Sequence, residues 1–125
     1  MSTREIAEAI TLANDLPADR TLFVLVPYFS GFRHEVRRIG ICMAIFSHVG
    51  EIIGKHGLGS YVLDTTIRWR NGSGYYVSIT FEKPEDAVVF RMAYDPDMLA
   101  KEAVFEGIKP YLILHSQFEN DINGN

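Results

Sequence analysis

Residues 61–82 read YVLDTTIRWRNGSGYYVSITFE, and the fold turns on how they are read. Tyr61, Leu63, Thr65, Ile67 and Trp69 alternate with Val62, Asp64, Thr66, Arg68 and Arg70. Beyond the turn, Tyr75, Val77, Ile79 and Phe81 alternate with Tyr76, Ser78, Thr80 and Glu82. A period of two is the pattern of a strand with one face on a core. Asn71-Gly72-Ser73-Gly74 supplies the residues a hairpin connection needs. The stretch therefore predicts two antiparallel strands, with Leu63, Ile67, Val77 and Ile79 turned towards a covering helix.

The covering helix lies just upstream. Val36, Ile39, Met43, Phe46, Val49 and Ile53 recur at spacings of three and four, which predicts a helix from Phe32 to about His56. Lys55 and His56 suit its C-terminal dipole, and Gly57 its C′ position. Ile39 to Phe46 is apolar on more than one side, so beyond the sheet the helix must also be covered by the N-terminal helix, through its Ile6/Ile10/Ala13 face, or by another subunit. Thr21 to Phe29 (TLFVLVPYF) is a nearly continuous apolar strand, with Pro27 near its end because proline donates nothing to a ladder. Downstream, Pro84 with Glu85 and Asp86 opens a second helix, and Asp95-Pro96-Asp97 breaks it and restarts a third through Phe105. Tyr111 to His115 is a last short strand. At the other terminus, Ser2-Thr3-Arg4-Glu5 reads as a capping box for a helix carrying Ile6, Ile10 and Ala13 on one face.

The element order β-α-β-β-α-(α)-β predicts an α+β fold. It would be a ferredoxin-like (split β-α-β) two-layer sandwich with a four-stranded antiparallel sheet, plus an extra N-terminal helix. The expected organisation is a single domain over residues 1–118: helix 1–16, a core over 21–116, then a polar tail over 119–125.

Leu22-Phe23-Val24 resembles the first-strand motif of RNA-recognition-motif domains. Gly74-Tyr75-Tyr76-Val77, running on to Phe81-Glu82-Lys83-Pro84-Glu85-Asp86-Ala87, resembles their third strand and second helix. The resemblance spans Thr21 to His115. It implies the same sandwich and a bare sheet face on which bases stack, with Tyr76 as the aromatic in place. The first helix is about twice the length usual in that family, and the next positions on that face are Ser78 and Thr80.

Sixteen acids against twelve Lys/Arg give a net charge of −4, which argues against a generic polyanion binder. One cysteine, Cys42, excludes an internal disulfide and reads as a buried small hydrophobe. No apolar run reaches the length of a membrane helix, and the N-terminus lacks a leader pattern, so the expected compartment is the cytoplasm, with no membrane partner. His34, His48, His56 and His115 do not fall at ligand spacing, which gives no metal site and no cofactor. Gly57-Leu58-Gly59 follows a helix rather than preceding one, so it is a C-cap and not a phosphate loop. No catalytic motif is present. Asp64 and Glu82, flanking Thr66, Ser78 and Thr80, are the candidate acid pair, which would make a thin active site.

Two surface sites stand out. Arg68, Arg70, Tyr76 and Asp64 are the candidate partner-binding set on the bare sheet face. Ser30, Gly31, Arg33 and Arg37 are the candidate anion site at the start of the long helix. The ordinary alternative pairs the helix-start arginines with Glu85 and Asp86, placed at the same end of the sheet. The two basic groups are expected at opposite ends, on the order of 15–20 Å apart. The resulting expectation is a small non-enzymatic binding or regulatory module, homodimeric or bound to another protein through the sheet face or a helix surface. The alternatives are a single-stranded nucleic-acid binder, a small enzyme with its site on the sheet face or in a dimer cleft, and a phage-type inhibitor protein.

Overall fold

A computed structural model describes residues 15–27, 35–64, 67–69, 74–106 and 108–123. Among them are strands β1 (Thr21–Pro27), β2 (Tyr61–Leu63), β3 (Ile67–Trp69), β4 (Gly74–Phe81) and β5 (Tyr111–Leu114). The helices are α1 (Glu35–His56), α2 (Pro84–Ala93), α3 (Pro96–Ala100) and α4 (His115–Asn123). Of the predicted N-terminal helix, 1–16, residues 1–14 lie outside the described set, as does the turn at 71–73.

The protein is α+β with an antiparallel sheet. Its order is β2-β4-β1-β5, and β3 also pairs with β4. Counted strand by strand, this is not the four-strand order expected. The fifth strand arises from a slip in register. Leu63 lies opposite Ile79, and the Asp64 N–H donates to the Ser78 carbonyl at 3.0 Å, but Ile67 lies opposite Tyr76. Three residues on one side thus face two on the other. The uninterrupted alternation predicted from Tyr61 to Arg70 therefore does not hold, because an extra residue in one strand reverses the phase of everything beyond it.

One face of the sheet carries the main core. Leu22, Val24 and Val26 of β1 and Val77, Ile79 and Phe81 of β4 pack with Ile41, Ile45, Val49 and Ile52 of α1. Ala87 and Phe90 of α2, Leu99 of α3 and Phe105 complete it. Of the four inward positions predicted from the hairpin, Val77 and Ile79 are fully buried and Leu63 packs half-buried against this core. The side chain of Ile67 lies outside the described residues.

Local signals account for the boundaries. α1 ends in a Schellman arrangement: the Leu58 N–H donates to the Ile53 carbonyl at 3.0 Å and the Gly57 N–H to the Gly54 carbonyl at 3.4 Å. Gly57 takes φ 63°, the left-handed conformation expected of a C′ glycine. Gly40 serves a different purpose, since a Cβ there would sit 3.0 Å from Val104 Cγ2, so its absence lets α1 approach the 101–106 segment. α3 starts at Asp95, whose carboxylate accepts from the Asp97 N–H at 3.0 Å. Asp95→Ala should cost about 1 kcal/mol by removing that cap. The check is a lowered urea midpoint at unchanged slope; an unmoved midpoint would mean the cap contributes nothing.

The second face is also covered. Residues 115–123 continue directly from β5 as α4, and so take in 119–123 of the polar tail predicted over 119–125. Phe118 is fully buried on the sheet, so helices lie on both faces of the central strands. The expected two-layer arrangement with a bare face is corrected on this point.

Candidate functional site

The second face carries Phe23 and Leu25 of β1, Tyr76 and Ser78 of β4, and Ile113 of β5. Phe118 stacks on Phe23 with centroids 4.0 Å apart and planes 10° from parallel. It meets Tyr76 edge-on at 4.9 Å, and Phe23 and Tyr76 meet edge-on at 6.4 Å. Tyr76 is consequently 1% exposed. As a surface contact it is a correction: α4 covers the position that period-two reasoning left bare. At the junction, His115 Nδ1 lies 3.2 Å from Glu119 Oε1, and the Leu114 N–H donates to Gln117 Oε1 at 2.7 Å.

Of the other members of the predicted set, Asp64 alone has a described side chain. Asp64 is half-buried, in register with Ser78. Arg68 pairs by its backbone with Tyr75, its side chain lies outside the described residues, and Arg70 is outside altogether. The acid pair is also separated. Asp64 sits beside Ser78, whereas the Glu82 N–H bonds the Ser60 carbonyl. The two are offset by four strand positions, about 13 Å of backbone.

Ser30, Gly31 and Arg33 of the anion site lie outside the described residues. Arg37 is committed elsewhere. Its guanidinium donates to the Val104 carbonyl at 3.4 Å and the Phe105 carbonyl at 3.3 Å, and lies 3.4 Å from the Glu106 carboxylate. The expected partners Glu85 and Asp86 are at the wrong end of the sheet. β1 and β4 are antiparallel, with Thr21 opposite Thr80 and Pro27 opposite Gly74. The chain leaves β1 towards α1 at one end and leaves β4 towards α2 at the other. Asp86 accepts instead from the Gly59 N–H at 3.0 Å. The same register corrects the placing of the two basic groups. Gly74 lies opposite both Pro27 and Trp69, so Arg68 lies at the end of the sheet where β1 finishes, not at the far end.

Two further described groups, His48 and Cys42, lie within the fold. His48 is buried against Tyr94, centroids 5.6 Å apart, and its Nε2 has no hydrogen-bond partner among the described residues. Cys42 is half-buried against the main core. Among the described residues no three His, Cys, Asp or Glu side chains group closely enough to hold a metal ion. A pocket of about 120 Å³ lies between the segment before β1 and α2, lined in part by Asp19, Thr21, Val88 and Arg91. Ligand pockets run to several hundred Å³, so this one suits little beyond solvent. No helix among the described residues is long and apolar enough to cross a membrane.

The outer face of α1 is different. Ile39, Met43 and Phe46 recur at i, i+4 and i+7, and are 51%, 64% and 36% exposed. Gly50 continues the stripe, with the Tyr61 hydroxyl of β2 4.0 Å from where its Cβ would be. The apolar surface therefore runs from the middle of α1 towards the edge strand of the sheet. The sequence showed that α1 was apolar on two sides. The structure buries Ile41, Ile45, Val49 and Ile52 and leaves Ile39, Met43 and Phe46 of the second side exposed. No protein-family model, curated protein or solved structure matches the chain.

Proposed function

We propose that the protein is a non-catalytic binding module that self-associates through the outer face of α1. The stripe Ile39–Met43–Phe46 carries this reading. From their exposures, the three side chains leave on the order of 300 Å² in water, at the scale of the largest patches that monomers show. Two copies meeting there would bury roughly twice that, the apolar centre of an interface of about 1,200–2,000 Å². A helix crossing its own copy makes an isologous contact, in which each residue meets its own or a symmetry-paired neighbour. The helix face is preferred over the sheet face because Phe118 and α4 enclose Tyr76.

The same reading treats β2 and β3 as one strand interrupted by a bulge between Leu63 and Ile67. So merged, the sheet takes the order of the split β-α-β sandwich, with α4 as an addition. A single half-buried thiol suits a reducing compartment, and the cytoplasm is proposed on that ground.

Light scattering at micromolar concentration should give twice the chain mass. Met43→Glu places a charge in the centre of the stripe, where it is exposed in the monomer and desolvated in the dimer. That variant should run as a folded monomer with an unchanged far-UV spectrum. A wild-type monomer under these conditions would overturn the proposal, and so would a Met43→Glu protein that stays dimeric.

A further inference from the structure

We propose that α4 is a displaceable cover, latched by the Phe118 ring over the sheet face that carries Phe23, Tyr76 and Ser78. This inference is independent of self-association through α1.

The first observation is what α4 is made of. Its nine residues, HSQFENDIN, contain two apolar side chains, Phe118 and Ile122, and, Gln117 and Glu119 apart, its polar residues are weak helix formers. It has no basic residue in its last turn to complement its dipole. A nine-residue helix of this composition does not hold together alone in water, so docking is what keeps it helical. Ser116, Gln117 and Asn120 are exposed; Phe118 is the fully buried apolar anchor, and His115, at the junction with β5, is buried with its ring 6.1 Å from that of Phe23.

The second observation is what lies on the covered face. Ser78 is fully buried, and its Oγ has no hydrogen-bond partner among the described residues. A buried hydroxyl left without a partner carries a desolvation cost that the closed state must absorb. That cost is relieved when the face is wetted or a ligand supplies the partner. By contrast, the strands beneath are tied to their neighbours: β1 pairs with β4 at seven consecutive positions and with β5 at four. The sheet can keep its ladders while the helix leaves.

Opening would uncover the Phe23 and Tyr76 rings, set edge to face, on the sheet face that also carries Ser78. The place vacated by Phe118 fits a flat ring lying 4.0 Å above Phe23. A ligand for this face must displace the latch, so its apparent affinity is reduced by the fraction of time the latch is closed.

Native-state hydrogen exchange on the full chain tests this. Amides 119–123 should open at least about 100-fold more often than those of β1 and β4, as a sub-global unit does. In Phe118→Ala these amides should exchange near the unfolded-chain rate while β1 and β4 stay protected, and binding of a hydrophobic dye should rise. Equal protection of amides 119–123 and the central strands in the wild-type protein would overturn the proposal. A Phe118→Ala protein that loses protection across β1 and β4 would overturn it too, by showing the helix to be integral to the sheet.

Discussion

Phe90→Ala should lower the stability of the protein by about 3–5 kcal/mol, a cost typical of deleting a fully buried aromatic ring. Phe90 has no exposed surface. Its ring lies 5.4 Å from that of Phe81 on β4 and 5.9 Å from that of Tyr94, so it joins α2 both to the sheet and to the segment after α2. Its neighbours belong to different elements, which limits how far they can collapse into the space left. Domains of this size are stable by about 5–15 kcal/mol, so the variant would sit near the edge of folding at 37 °C. Chemical denaturation should show a much lower midpoint with a similar slope. A loss under 1 kcal/mol would mean that α2 is not packed on the sheet as described.

The stability of the wild-type protein should fall steeply above pH 10, and Tyr94 should be the reason. Its hydroxyl donates to the Pro110 carbonyl at 2.6 Å in a buried position. Burial, and after it the charge of Asp95, hold the phenol well above its ordinary value near 10. The folded protein therefore keeps the proton after the unfolded chain has released it. Below pH 10 the contribution is fully present. Above pH 10 the unfolded state binds fewer protons, and stability drops by about 1.4 kcal/mol per pH unit until the folded group itself titrates. Tyr94→Phe should remove that part of the slope. At pH 7 it should cost about 1–2 kcal/mol, because the Pro110 carbonyl is left unpaired in the interior. Urea midpoints of both proteins between pH 7 and 11 provide the check. Identical alkaline slopes would clear Tyr94 of the role.

Much of the scaffold was legible in the sequence because strong local signals agreed with one another. The three- and four-residue spacing from Ile39 to Ile53, closed by Gly57, yields α1 with its end at His56. Pro84 with its two acids yields the start of α2, and Asp95-Pro96 the break before α3. Failures came where a small cue decided the outcome. One extra residue between Leu63 and Ile67 breaks the period-two pattern without changing its composition, so the alternation reads as continuous. α4 was hidden because HSQFENDIN is polar overall. The spacing of Phe118 and Ile122, four residues apart, was the available hint of a one-sided helix. The placing of Arg37 against Glu85 and Asp86 failed on strand direction. Helices that follow antiparallel neighbours begin at opposite ends of a sheet, and here the 101–106 segment supplies the partners instead.

β5 ends at Leu114 and α4 begins at His115, with no slack between them. Strand and helix are thus joined as a lever is to its fulcrum. Nine residues rising 1.5 Å each give an arm of about 13 Å, and Phe118 sits roughly a third of the way along it. A tilt at His115 that lifts the ring clear of Phe23 swings the far end two to three times as far, about 10 Å for a 4 Å lift. Force applied at Asn123 gains the same mechanical advantage over the ring.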